Sequence, residues 1–379
     1  MTIAVISMIR EGWGGSEELW AAMVENALNK GHKVMHLSYK CGPANPKMDA
    51  LCKKGLVLYT RPSYQPKFRN PVLQIVHKGL FFLQKRLNSS ISKIFKQKPD
   101  VVLYNGTCYS IAEEKKLLKY IGKANAKFFI LGHFNTEDGR ELSASNIEII
   151  KQAYSQSKKV LFIAAHSIFN AKRHLVSDIP NALVVRNPVN ISSTELVPFP
   201  TEEKVQFAMV GNLILIHKGQ DIALEALASE FWKNRNWHLN IYGSGQDEAH
   251  LKKLVDFFGL KNNVTFHGRV SNIRDVWQVN HILLMPSRME GMPLAVVEAM
   301  ICGRPSVVTD VGGHREWIEE GLQGFIAEAP SVFSFSNAME RAWLARDNWQ
   351  AIGESAHEKA MRLYNPKAGK TLLNILTSE

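Results

Sequence analysis

Two glutamates eight positions apart, Glu290 and Glu298 in "SRMEGMPLAVVEAM" (287–300), carry the chemistry this chain must explain. Glu290 sits among turn-formers, whereas Glu298 falls inside an apolar run that is expected to be buried. "HILLMPS" (281–287) reads as a buried strand and "RMEGM" as its exit loop. Pro293 reads as the first residue of a helix, where its missing N–H costs nothing, and the helix stops at Gly303. The N–H groups of the stretch Gly291, Met292, Pro293 and Leu294 (the proline itself excepted) then make an anion site at a helix N-terminus. Glu298 stands about five residues further on, roughly 7 Å along the axis at 1.5 Å per residue. That is of the order of the separation between a nucleotide's phosphates and its ribose hydroxyls. A carboxylate accepting two ribose hydroxyls would account for a buried Glu with no cation beside it. In the other reading, Glu298 pairs with a Lys or Arg distant in sequence and Glu290 decorates a loop.

The elements that must position these residues alternate in kind. In the second half, "QFAMVGN" (206–212), "HLNIYG" (238–243), "VTFHG" (264–268), "HILLMPS" and "PSVVTD" (305–310) are short apolar runs separated by segments of helical spacing. In the first half, "TIAVISM" (2–8), "HKVMHLSY" (32–39), "DVVLYN" (100–105), "KFFILGH" (127–133) and "KVLFIAAH" (159–166) play the same part. Continuous apolar strands alternating with helices mean parallel sheets covered on both faces. A turn-rich connector (186–204) separates the halves. The expectation is an α/β protein with two doubly wound Rossmann-like domains facing a central cleft. Residues 1–190 form the acceptor side, 200–360 bind the donor, and a C-terminal helix within 361–379 packs back on the first domain. Ligands in such sheets sit outside the carboxyl ends of the strands. Lys218, in the loop after "QFAMVGN", is placed to hold phosphate as a point charge, although a loop lysine alone is ordinary surface.

With 379 residues, 45% hydrophobic and 21% charged, the chain has a globular composition and is long enough for two cores. Its four cysteines are scattered with no CxxC pair, which argues against a disulfide framework or a zinc site and fits a reducing cytosol. No apolar run reaches the length of a membrane span or a signal peptide, so the expected location is cytoplasmic, peripheral to a membrane at most.

In order along the chain, "HKGQ", "YGSGQ", "FHGRV", "EGMPLAVVE" and "GGHRE" resemble the signature of the retaining GT-B glycosyltransferases of family four, the group 1 glycosyl transferases. The resemblance is strong over roughly 205–330 and weaker through "GWGGSE" and "ILGHFN" in the first half. It implies transfer of a sugar, with retention and without a metal, from a nucleotide-diphosphate sugar to a hydroxyl. UDP-sugar is favoured over GDP-sugar, and the acceptor is a glycan or lipid-linked molecule of cell-surface polysaccharide or glycolipid synthesis. No other cofactor is implied, and no D-x-D triad is present to hold a metal. By the same resemblance Glu298 takes the ribose, Glu290 the donor sugar and Lys218 the diphosphate. Arg269 and Val270 line the base pocket, Gly14 and Gly15 let backbone approach the diphosphate, and His133 faces the sugar. Asn212 departs from the pattern, because the family has an arginine there.

A basic stretch stands apart: residues 51–99 hold eleven Lys or Arg and no Asp or Glu, within a chain of net charge +11. Leu73, Val76, Leu80, Leu83, Leu87, Ile91 and Ile94 fall on one helical face, with Lys78, Lys85 and Lys96 opposite and Phe81 and Phe82 beside them. Residues 72–96 therefore point to an anionic membrane surface, and a solvated face is the plainer reading. No nucleic-acid-binding module accompanies the charge. Two other functions share the architecture. A dinucleotide oxidoreductase would need G-x-G-x-x-G after the first strand, where "GWGGSE" has the wrong spacing. A non-catalytic sugar-nucleotide binder is kept open by Asn212.

Overall fold

A computed structural model describes residues 1–8, 13–39, 45–63, 70–137 and 142–378, with backbone alone at 71 and 85–87. The chain forms two compact units, one of residues 1–163, 167–188 and 367–379, the other of 164–166 and 189–366.

The first unit holds a parallel sheet of β1 (Thr2–Ser7), β2 (Lys33–Tyr39), β3 (Val57–Arg61), β4 (Val101–Gly106), β5 (Lys127–Gly132), β6 (Lys159–Phe162) and β7 (Ala182–Val184). The second holds β8 (Val205–Val210), β9 (Trp237–Tyr242), β10 (Val264–Gly268), β11 (Ile282–Met285), β12 (Ser306–Thr309) and β13 (Gly324–Ala327), also all parallel. Spatial order is β3-β2-β1-β4-β5-β6-β7 in one sheet and β10-β9-β8-β11-β12-β13 in the other. Both therefore reverse direction between their first and fourth strands, β1/β4 and β8/β11, the place where doubly wound sheets open a crevice. The strands run continuously apolar because helices cover both faces. Ile3 to Ile6 and Val101 to Tyr104 are fully buried, as are Ile282 and Leu283. Beneath the second sheet, Trp232, Trp237 and Trp349 close around Phe207. Burying such side chains contributes about 2–3 kcal/mol each.

Three strands escape the sequence reading: β3, β7 and β13. β3 is half-exposed, and β7 is a three-residue edge strand. β13 is four residues long and opens on Gly324. Helix Leu294–Ile301 begins one residue later than expected, with Pro293 at its N-cap, and Gly303 (φ +76°) ends it. The single amphipathic helix expected across 72–94 is two. Helix Pro71–Leu87 stops where Asn88 turns extended and its Oδ1 accepts from Ser90 N (3.1 Å), and helix Ser90–Lys96 follows. Ile91 and Ile94 belong to the core of the first unit. Helix Ala368–Thr377 lies in that unit against helix Gly15–Asn29. A Cβ on Gly369 would come within 2.5 Å of the Ala22 backbone.

Candidate functional site

The two loops that leave β8 and β11 meet at the switch point of the second sheet. After β8, residues Leu215–Lys218 form one helical turn ended by Gly219 (φ +61°). A Cβ on Gly219 would lie 2.1 Å from Pro286 O, so only glycine lets the lysine turn seat on the loop leaving β11. His217 O then accepts from Arg288 N (2.8 Å) and Met289 N (3.1 Å). The Arg288 guanidinium grips both carboxylate oxygens of Asp221 (2.7 Å each) and donates to Leu215 O (2.8 Å). From the opposite side Gly312 (φ +54°) presses on Glu290 O, where a Cβ would come within 2.1 Å, and Gly313 N donates to Gly291 O (2.9 Å). The loop carrying Glu290 is thus clasped between the "HKG" turn and the "GGH" turn.

Lys218 Nζ donates to Glu290 Oε1 at 2.5 Å, and Ser287 Oγ donates to the same oxygen at 3.0 Å. Glu290's side chain is 8% exposed and Lys218's 25%. Behind them Thr309 Oγ1 donates to Ser287 O (2.5 Å), and His314 Nδ1 bonds Thr309 O (2.7 Å). A carbonyl can only accept, so the His314 proton sits on Nδ1, leaving Nε2 bare and buried with no hydrogen-bond partner. Burial lowers the His314 pKa against the raising influence of Glu290, so the ring is neutral.

Glu298, on helix Leu294–Ile301, is only partly exposed, and desolvation pushes its carboxyl up to about 8. Among the described residues no cation lies within ion-pair distance of it, so the reading in which it pairs with a distant Lys or Arg finds no partner. Asn212 is exposed after β8, and its carbonyl accepts from Gln220 Nε2 (2.9 Å). Arg269 Nε donates to Ser244 Oγ (2.7 Å) in the glycine turn after β9, and Val270 beside it is 40% exposed. Met292 is buried, and Gly291, Pro293 and Leu294 follow Glu290 into the helix.

Three further candidates, Gly14, Gly15 and His133, belong to the first unit. Gly14 (φ −141°) is extended backbone that any residue adopts. Its N–H donates to Glu17 Oε2 (3.1 Å), and burial pushes that carboxyl up to about 7. His133 is buried at the end of β5, with Nε2 bonded to Asn105 Oδ1 (2.7 Å) and its pKa lowered to about 4 by burial. Its other ring nitrogen, Nδ1, is buried with no hydrogen-bond partner. Sequence reading passed over Ser287, Arg288, Asp221, Thr309 and His314. The first two lie inside the quoted motif, where the type of residue was a usable signal.

Residues 204–344 match the profile of the family described as Glycosyl transferases group 1. A lipopolysaccharide 1,6-galactosyltransferase of Salmonella typhimurium is 25% identical over 353 residues, 90% of this chain and 89% of that one. An uncharacterized glycosyltransferase of Haemophilus influenzae is 32% identical over 124 residues, 32% of this chain and 35% of the relative. Several curated relatives align over less than half of their own length. Among solved structures, Anabaena HepE in complex with UDP superposes with a TM-score of 0.76 at 16% identity, covering 100% of both chains. The galactosyltransferase WaaB, in its apo form, gives 0.70 at 21% identity over 99% of this chain and 98% of that one.

Proposed function

We propose that this chain, which belongs to the group 1 glycosyl transferases and has the GT-B fold, moves a sugar with retention from a UDP-sugar to a hydroxyl of a glycan or lipid-linked acceptor in cell-surface polysaccharide or glycolipid synthesis. The observation that carries this reading is the juxtaposition at the β8/β11 switch point. A lysine from the loop after β8 meets a carboxylate and a helix N-terminus from the loop after β11, and a second carboxylate, with no cation in ion-pair distance among the described residues, stands about a turn along that helix. Lys218 and the N–H groups from Gly291 to Leu294 would take the diphosphate, and Glu298 the ribose hydroxyls. Glu290 would hold the donor sugar, and Arg269 and Val270 would border the base. Gly14, Gly15 and His133 are assigned to the diphosphate and sugar from the first unit. Support for UDP comes from HepE, whose structures hold UDP and UDP-glucose. A thermal-shift panel of UDP, GDP, ADP and their sugars tests the donor, because a ligand bound only by the folded state raises Tm by mass action. UDP and one UDP-sugar should shift Tm, and a shift by GDP or ADP alone would overturn the choice of base. Slow donor hydrolysis by the wild type would set aside the non-catalytic binder.

The acceptor side is assigned to an anionic membrane surface at the cytoplasmic face. Helix Pro71–Leu87 exposes Val72, Leu73, Ile75, Val76, Leu80, Phe82 and Leu83, each at least half exposed, within the acid-free basic stretch. Lys78 and Lys96 are exposed, and the Lys85 side chain lies outside the described residues. No described helix is long and apolar enough to cross a membrane. Co-sedimentation with phosphatidylglycerol vesicles should fall when Lys78, Lys85 and Lys96 become Glu. Unchanged partitioning would remove the membrane from this reading.

A further inference from the structure

Resting on that donor reading, we infer that Glu290 is the anion UDP must displace from Lys218, so that nucleotide binding is an ion exchange and the return of Glu290 to Lys218 assists product release.

The pair is mechanically asymmetric. Glu290 is nearly buried, its Oε1 held by Ser287 Oγ, and Ser287 is itself fully buried and tied to Thr309. Lys218 reaches the same oxygen from a single helical turn, its side chain a quarter exposed on a flexible four-carbon stem. The carboxylate is the fixed partner and the ammonium the movable one. A diphosphate arriving at Lys218 therefore meets an anion already in contact with the charge it needs. Nearby arginines do not relieve the competition. Arg288 is engaged by both oxygens of Asp221, Arg269 is bonded to Ser244, and position 212 carries a neutral Asn. His314, behind the pair, is neutral. Among the described residues the contest is over one ammonium, and it ends when the diphosphate leaves.

UDP lacks the transferred sugar, which separates this role from any contact Glu290 makes to that sugar. Calorimetric titration of UDP into wild type, Glu290→Gln, Lys218→Ala and the double variant reads it directly, with melting curves to confirm folding. Glu290→Gln should bind UDP roughly 3- to 10-fold more tightly, the range between exposed and half-buried ion pairs. In the Lys218→Ala background the same change should have no effect. Glu290→Asp draws the carboxylate off Nζ by one methylene and should tighten UDP by less, which keeps the test available if the glutamine variant fails to fold. Equal or weaker UDP binding by the Glu290 variants overturns the inference and leaves the donor reading standing. Wild type that binds none of UDP, GDP and ADP overturns both.

Discussion

Each unit carries an ion pair at the carboxyl end of its sheet, and the two pairs have nearly the same length and equally buried carboxylates but cations of different accessibility. In the first unit Arg61 Nη1 meets Glu114 Oε1 at 2.6 Å with both side chains 9% exposed, Arg61 Nη2 adds a bond to Ser7 O (2.8 Å), and the guanidinium lies 4.1 Å from the Tyr39 ring centre. In the second, Lys218 meets Glu290 at 2.5 Å with the ammonium a quarter exposed. Arginine's planar fork suits a closed pair held on several sides, whereas lysine's point charge can be handed to another anion. The same strand order thus supports a pair that ties β3 to the segment after β4 and a pair that can be exchanged. Topology sets where the pairs stand, and access sets what they can do.

The largest effect should come from opening the closed pair. Arg61→Ala or Glu114→Ala leaves a buried charge alone and should cost about 3–5 kcal/mol in denaturant unfolding, while Arg61→Met with Glu114→Leu should recover most of it. Equal small losses in all three variants would mean that water already reaches the pair. Lys218→Ala should weigh on activity more than on stability, lowering kcat/KM by roughly 10²–10³, the scale of losing one charge-stabilising donor, with a smaller loss of Tm than either first-unit variant because Ser287 still donates to Glu290. A large loss of Tm there would erase the contrast between the pairs. Arg288→Ala loosens the lysine turn from the Glu290 loop without touching either charge. It should lower kcat about tenfold, with Arg288→Lys only partly restoring it, because a single ammonium cannot reproduce the bidentate grip on Asp221.

Glu298 provides a pH-dependent change, and among the described residues no cation lies within ion-pair distance of it. Its folded pKa of about 8 lies above the 4.5 of an unperturbed glutamate, so the folded state holds the proton more tightly. The stability this contributes is complete below about pH 4.5 and is lost as pH rises through about 8. Melting temperature should accordingly decline between about pH 5 and 8.5. Glu298→Gln should flatten that decline and weaken UDP binding. A slope that survives the substitution would assign it to Glu17, whose carboxyl is also raised.

The strands around the site were legible because a buried parallel strand is a local pattern; Lys218 and Glu290 stood out by type at strand exits, and Glu298 as a carboxylate inside an apolar helical run. Their supports were not legible, because they are made across the chain. Arg288 and Asp221 are 67 residues apart, and Thr309 reaches Ser287 over 22. Helical spacing carried the reading from Leu83 through Leu87 to Ile91, although Asn88-Ser89-Ser90 is a capping sequence that ends one helix and starts another. The spacing survived the break by coincidence of phase. At Asn212 the resemblance implies an arginine, and that departure drew attention to a missing cation. The geometry instead turns attention to the anion beside Lys218.

The helix Ala368–Thr377 closes the first unit, yet the second unit's main segment, residues 189–366, is made before it. On a ribosome adding about 5–20 residues per second, those 178 residues take roughly 10–40 s. Throughout that interval the surface around Ala22 on helix Gly15–Asn29 lacks its cover, and by its end the second unit, nearly contiguous in the chain, has all its strands and can fold. The half of the protein that is synthesised first is therefore the half that finishes last, and its exposed flank must be kept from other partners until its own residues 368–377 arrive.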